Sequence, residues 1–241
     1  MLLIVKLKVL LLTLSYFFAE PYIIFIKLTK GENEMRKKAK KMSHLWSKSI
    51  FKWLNTNVEI INEENIPEGP VVVISNHQSS LDIPLLMCYL KNNPSFIAKK
   101  ELKRIPVVSF WMNLLGCVYL DRKSPRSALL SFKKAAEIIQ SGQSIVIFPE
   151  GTRSRELKEF KKGSFKLALM AGVPILPVTI IGTERVMDYK ISQKKCVRIL
   201  IEKPISIEQL SKEELKLIPE IVREKIEKNY NTFIDDSILC M

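Results

Sequence analysis

From about Val58 onward the chain alternates short apolar runs with longer stretches of helical spacing. The runs "VEII", "VVVIS", "SFIA", "CVYL", "SIVIF", "ILPVTII" and "VRILIE" have strand length and are rich in β-branched residues. Several are continuously apolar, which predicts strands covered on both faces. Between them, 81–91, 107–115, 125–141 and 164–171 have helical length and spacing. This alternation predicts an α/β fold with a mostly parallel central sheet flanked by helices. A charged amphipathic helix over 211–231 would pack on the outside, and no repeat or low-complexity linker interrupts the pattern.

The N-terminal pattern is different. The first thirty residues are strongly apolar, but the stretch without charge runs only from Val9 to Ala19, between Lys8 and Glu20, with Pro21 next. Crossing a bilayer core takes about 20 apolar residues, so the segment is expected to dip into or lie on one leaflet. The alternative is a spanning helix with snorkelling lysines. A secretory signal fits less well, because no small-x-small cleavage site follows "SYFFAEP". In the next stretch Met35, Ala39, Met42, Trp46, Ile50 and Trp53 recur at steps of three or four and form one apolar face. Arg36, Lys37, Lys38, Lys40, Lys41, Lys48 and Lys52 lie opposite. Such a helix serves either an anionic leaflet or a protein core with a solvated face; beside a hydrophobic leader the membrane reading gains. His44 falls on the polar side and is expected to be solvated. The division is then 1–56, membrane-associating hydrophobic and basic amphipathic helices, and 57–241, the α/β domain.

Composition narrows the partners. A chain of 241 residues suits one globular domain with an appended segment. Lys and Arg outnumber Asp and Glu by 38 to 25, which favours nucleic acid, anionic lipid or phosphorylated substrates. No nucleic-acid recognition motif or stacking platform accompanies that charge, so no nucleic-acid partner is expected. Cys88, Cys117, Cys196 and Cys240 form no C-x-x-C, and with two histidines there is no zinc-ligand spacing. No metal is implied. The apolar neighbours of Cys117 in "LLGCVYL" predict a core thiol.

The candidate chemistry gathers at strand ends, where open α/β sheets place ligands. "NHQSSLD", Asn76 to Asp82, follows "VVVIS". Residues five apart on one continuous helix stand about 140° apart around the axis, so His77 and Asp82 can meet only across a break. Ser79, Ser80 and Asp82 are good caps and Pro84 suits a first turn, so a helix is expected to begin between Ser80 and Asp82. The imidazole can then fold back over the carboxylate, which would fix its tautomer and leave the other nitrogen as a base for a substrate hydroxyl. An isolated His-x4-Asp reads first as a helix cap beside a structural histidine; the neighbouring strand ends change that. "FPEGTRS" puts Glu150, Gly151 and Arg153 on a tight turn, and Arg153 suits bidentate phosphate binding. Taken alone it is also a surface turn with a local ion pair. "GCVYLDR" adds Asp121 and Arg122, and "AKKEL" adds Lys99 and Lys100. A lipase is disfavoured because the chain has no G-x-S-x-G elbow.

In that order, "NHQSSLD", "GCVYLDR", "FPEGTRS" and the apolar block "VPILPV" resemble the four motif blocks of glycerolipid acyltransferases, typified by the 1-acylglycerol-3-phosphate (lysophosphatidic acid) acyltransferases. The resemblance covers about residues 58–204. It implies transfer of a fatty acyl group from acyl-CoA or acyl-carrier protein to the sn-2 hydroxyl of 1-acylglycerol-3-phosphate, giving phosphatidic acid in phospholipid biosynthesis. It implies His77 as base and Asp82 as its support. Arg122 and Arg153, with Lys99, would hold the acceptor phosphate. Glu150 would position the arginine or the glycerol end, the Gly151 backbone would help an oxyanion, and Thr152 belongs with the substrate-binding residues of the same block. "VPILPV" would be structural. The acyl donor is a cosubstrate and no cofactor is expected. The partners would be a lysophospholipid, the donor and the membrane surface, at the cytoplasmic face of the cell membrane, in an oligomeric state that the sequence does not fix. A sibling enzyme acting on glycerol-3-phosphate or another lysolipid would share these motifs.

Overall fold

All seven apolar runs are strands in a computed structural model, which describes residues 2–91, 94–121, 124–188, 190, 192–208 and 210–233. They are β1 (Thr56–Ile61), β2 (Val72–Ser75), β3 (Ser95–Lys99), β4 (Val118–Leu120), β5 (Ile145–Ile147), β6 (Ile175–Ile181) and β7 (Lys195–Ile201). The helices are α1 (Leu2–Trp53), α2 (Asp82–Tyr89), α3 (Pro106–Leu114), α4 (Pro125–Gln140), α5 (Lys166–Ala171) and α6 (Lys212–Phe233). The strands form one sheet in the order β1-β7-β6-β2-β5-β3-β4. Among the described residues the β6–β7 pair alone is antiparallel. The carboxyl ends of β2, β3, β4, β5 and β6 therefore point to one rim.

Alternation along the strands builds two cores. Val71, Val73, Val146 and Val178 face one side, packed with Ile50, Phe51 and Leu54 near the end of α1 and with Leu85 and Leu86 of α2. Val72, Ile74, Ile145 and Ile147 face the other, against Ala135 and Ile139 of α4, Leu167 of α5 and Val222 and Ile226 of α6. Both faces of β2 and β5 are covered, which is why these strands read as unbroken apolar runs.

The N-terminal segment is a helical hairpin. Gly31 at φ 86, ψ 174 interrupts α1 with a backbone geometry that a side chain would oppose, dividing it into arms of residues 2–30 and 32–53. Pro21 lies within the first arm without ending it. The arms pack antiparallel: the Tyr16 hydroxyl donates to the Met42 carbonyl at 2.6 Å, and Trp46 Nε1 donates to Thr13 Oγ1 at 3.3 Å. Trp111 of α3 closes the crossing, donating from Nε1 to the Tyr16 carbonyl and standing edge-on to its ring.

This changes the assignment of the amphipathic face. Met35, Ala39 and Ile50 of the second arm are buried against the first arm and the α/β core, so that stripe meets protein. The exposed apolar surface belongs to the first arm instead: Leu7, Leu10, Leu11, Leu14, Phe17, Phe25, Leu28 at 80% and Phe18 at 79% exposure. Burying one such side chain is worth about 1.5–3 kcal/mol, so eight left uncovered together mark a surface suited to another apolar phase. His44, expected to be solvated, is half-buried, with Nε2 4.0 Å from Cys88 Sγ of α2.

Candidate active site

His77 lies in the turn between β2 and α2, and Asp82 is the first residue of α2, so the break expected between them is present. His77 Nδ1 stands 2.7 Å from Asp82 Oδ2. A carboxylate oxygen can only accept, so Nδ1 carries a proton, and in the neutral ring Nε2 then keeps its lone pair. Oδ2 also accepts from the backbone N–H groups of Gln78 at 2.7 Å and Ser79 at 2.9 Å, while Oδ1 accepts from the Thr183 hydroxyl. Asp82 has no side-chain exposure and His77 retains 15%. The first turn of α2 offers its positive dipole end to the buried carboxylate.

The backbone of His77 is held on both sides by the "FPEGTRS" loop. Its N–H donates to Glu150 Oε1 at 2.7 Å, and its carbonyl accepts from the Ser154 N–H at 2.8 Å. Its ring stacks on Phe148, centroids 4.0 Å apart and planes 14° from parallel. Asn76 bridges to β6: Nδ2 donates to the Ile180 carbonyl and Oδ1 accepts from the Ile180 N–H, both at 2.8 Å. The first and third motif blocks are thus two sides of one hydrogen-bonded turn.

Glu150 departs from its expected place. Its carboxylate is buried, and its second oxygen accepts from the Lys158 N–H at 3.1 Å, so it braces two backbone segments rather than facing an arginine or a glycerol. Burial pushes its pKa up, while the two N–H bonds pull the other way. Gly151 departs too: its N–H donates to the Phe148 carbonyl at 3.1 Å, closing the turn, and is not offered to an oxyanion. Arg122 lies outside the described residues. Lys100 of "AKKEL" is held by Asp121 at 2.7 Å, tying the loop after β3 to the end of β4.

His77 opens onto a cavity of about 660 Å³. Thr13, Tyr16 and Trp46 from the hairpin, Met87 from α2, Phe96 from β3 and Met112 from α3 line its apolar interior; Lys99, Gly151, Thr152 and Arg153 line it where it meets solvent. Cys117 is at the cavity wall but buried, as its apolar neighbours predict for a core thiol, and burial pushes its pKa up to about 12. The site therefore joins a base held in one tautomer to an apolar chamber and a cationic edge.

The Acyltransferase family model matches residues 57–181, from the first strand to the end of β6. The chain belongs to the acyltransferase family. It is 39% identical over 172 residues, 68% of its length, to the chloroplastic 1-acyl-sn-glycerol-3-phosphate acyltransferase BAT2 of Brassica napus, of which the match covers 49%. It is 34% identical over 77% of its length to the 1-acyl-sn-glycerol-3-phosphate acyltransferase of Saccharomyces cerevisiae, of which the match covers 65%. The chain thus spans about half to two thirds of these curated relatives. Among solved structures, the 1-acyl-sn-glycerophosphate (LPA) acyltransferase PlsC from Thermotoga maritima superposes with a TM-score of 0.70 at 32% identity, covering 93% of this chain and 97% of that one. That coverage takes in the helical hairpin as well as the acyltransferase sheet.

Three residues that shape this acyltransferase site carry little signal of their own in the chain. Asn76 and Phe148 each touch a motif block, and their position beside a strand end was the available signal. Thr183 comes just after β6, beyond the apolar fourth block, where only the "IGT" turn marked a strand end on the same rim.

Proposed function

We propose that this chain moves a fatty acyl group from a thioester, acyl-CoA or acyl-carrier protein, to the sn-2 hydroxyl of 1-acylglycerol-3-phosphate, giving phosphatidic acid. The observation that carries this reading is the 2.7 Å His77–Asp82 contact at the mouth of an apolar cavity edged by Lys99 and Arg153. His77 Nε2 takes the proton of the sn-2 hydroxyl as its oxygen attacks the thioester carbonyl. Asp82 steadies the imidazolium so formed. The tetrahedral adduct collapses, the C–S bond breaks, and the proton passes from His77 to the leaving thiolate. General-base assistance of this kind supplies about 10²–10⁴ in rate.

Arg153 and Lys99 would hold the acceptor phosphate at the solvent edge while an acyl chain occupies the apolar cavity. Residues 1–56 associate with the membrane through the exposed face of the first arm. Its about 43 Å length, at about 1.5 Å per residue, would suffice for a span. The second arm covers one side of it, however, and turns Arg36, Lys37 and Lys41 outward. A one-sided insertion into a single leaflet fits such a pair, with the cations among anionic headgroups. Acceptor and product would then stay in the bilayer while the donor arrives from the cytosol, a reading that puts the site at the cytoplasmic face.

The test is an assay of membranes carrying the chain with labelled acyl-CoA and acyl-carrier protein against a panel of acceptors. Phosphatidic acid formed from 1-acylglycerol-3-phosphate is the expected product. Acylation confined to glycerol-3-phosphate or to a lysolipid without a free phosphate would overturn the acceptor assignment.

A further inference from the structure

Asp82 can orient His77 only if the carboxylate itself is held. Its two oxygens are served unequally. Oδ2 accepts from His77 Nδ1 and from the Gln78 and Ser79 N–H groups. For Oδ1, Thr183 Oγ1 is the donor among the described residues. Torsion about the bond to a carboxyl group is soft and two-fold, so three donors on one oxygen do not by themselves fix the plane; a donor on the other oxygen does.

The fold delivers Thr183 to that place from 101 positions away. β6 is buried along its whole length beside β2. The paired hydrogen bonds from Asn76 to Ile180 fix the end of β6 against the turn that carries His77. Gly182, at φ 96, then turns the chain in a geometry that disfavours a side chain and brings Thr183 over Asp82. Thr183 is completely buried, so it cannot meet substrate. Its single hydroxyl proton has a second claimant, Gln78 Oε1 at 3.3 Å. The ionised carboxylate is the stronger acceptor and takes it.

We propose that Thr183 is a positioning residue for acyl transfer: its hydroxyl locks the plane of the Asp82 carboxylate, and through it the tautomer and aim of His77. This rests on the acyl-transfer reading of the His77–Asp82 pair. Loss of the hydroxyl leaves a buried charged oxygen without its donor, the circumstance in which a hydrogen bond matters most.

The experiment compares Thr183→Ala, Thr183→Ser and His77→Ala in the full chain, in membranes, by steady-state kinetics in both substrates. Alanine and serine both remove the methyl group; only alanine removes the hydroxyl, so the pair separates hydrogen bonding from packing. Thr183→Ala is expected to lower kcat by about ten- to hundredfold, with KM for donor and acceptor unchanged. Thr183→Ser is expected to restore kcat to within about threefold of the parent. A Thr183→Ala variant with parental kcat, or a Thr183→Ser variant as impaired as alanine, overturns the role of Thr183. If His77→Ala stays active, the dyad itself falls; if it is inactive while Thr183→Ala is normal, only the positioning role falls.

Discussion

At the mouth of one cavity, Asp82 is fully buried and His77 keeps 15% of its side-chain surface, whereas Lys99, Thr152 and Arg153 stand in solvent. The first pair is fixed by backbone N–H groups, a stacked phenyl ring and a buried hydroxyl. The second set stands at the last residue of β3 and on the loop after β5. A group that must transfer a proton needs one geometry, which burial and hydrogen bonding enforce. A group that attracts a phosphate must stay reachable, and solvent then weakens what it contributes. The same strand-end rim thus supports two kinds of work, and they should respond differently to mutation.

The largest separation is expected at the dyad. His77→Ala removes the base and should lower kcat by about 10²–10⁴ while leaving KM, folding and membrane association intact. Asp82→Asn keeps the shape but sets an amide NH₂ against donors, and should be impaired to a similar degree. Steady-state kinetics with circular dichroism on the purified variants check both. A folded His77→Ala protein within tenfold of parental kcat would break the comparison, because the buried pair would then be no more than a helix cap.

At the rim, Arg153→Ala should act on binding. Loss of one charge-assisted phosphate contact is expected to raise the acceptor KM about tenfold with kcat little changed. Arg153→Lys should recover only part of it, because an ammonium cannot form the two-pronged contact. Kinetics toward lysophosphatidate decide this, and a fall in kcat at unchanged KM would move Arg153 from holding substrate to chemistry.

The parts that were legible in the sequence are those with a repeating or local cause. The central strands β2, β5 and β6 follow from apolar runs buried along their whole length, and the His77–Asp82 encounter follows from the start of α2 at Asp82, which puts a break between the two residues. What was illegible depends on which surfaces meet. The stripe from Met35 to Trp53 has helical periodicity, and periodicity reports that a face is covered without naming what covers it; here it is the first arm and the sheet. Glu150 looked like a partner for Arg153 because they share a loop. The turn instead points the carboxylate inward, where it accepts from the backbone N–H groups of His77 and Lys158. Thr183 is remote in sequence from Asp82, and only the parallel pairing of β2 with β6 brings them together.

Lys99 offers the finest test of the division. Its neighbour Lys100 is engaged by Asp121, whereas Lys99 lines the cavity edge beside Arg153. An exposed ammonium acts as a point charge, so its contribution should be small and sensitive to screening. Lys99→Ala is expected to raise the acceptor KM by about two- to fivefold at about 0.1 M salt, the size of a surface ion pair. Near 1 M, where the screening length falls from about 10 Å to about 3 Å, the difference between variant and parent should vanish. Thr183→Ala and parent should keep their full separation over the same range, because their difference lies in a buried contact. A Lys99 effect that persists undiminished in high salt, or that appears in kcat, would place this lysine with the enclosed machinery and erase the distinction between the two sides of the cavity mouth.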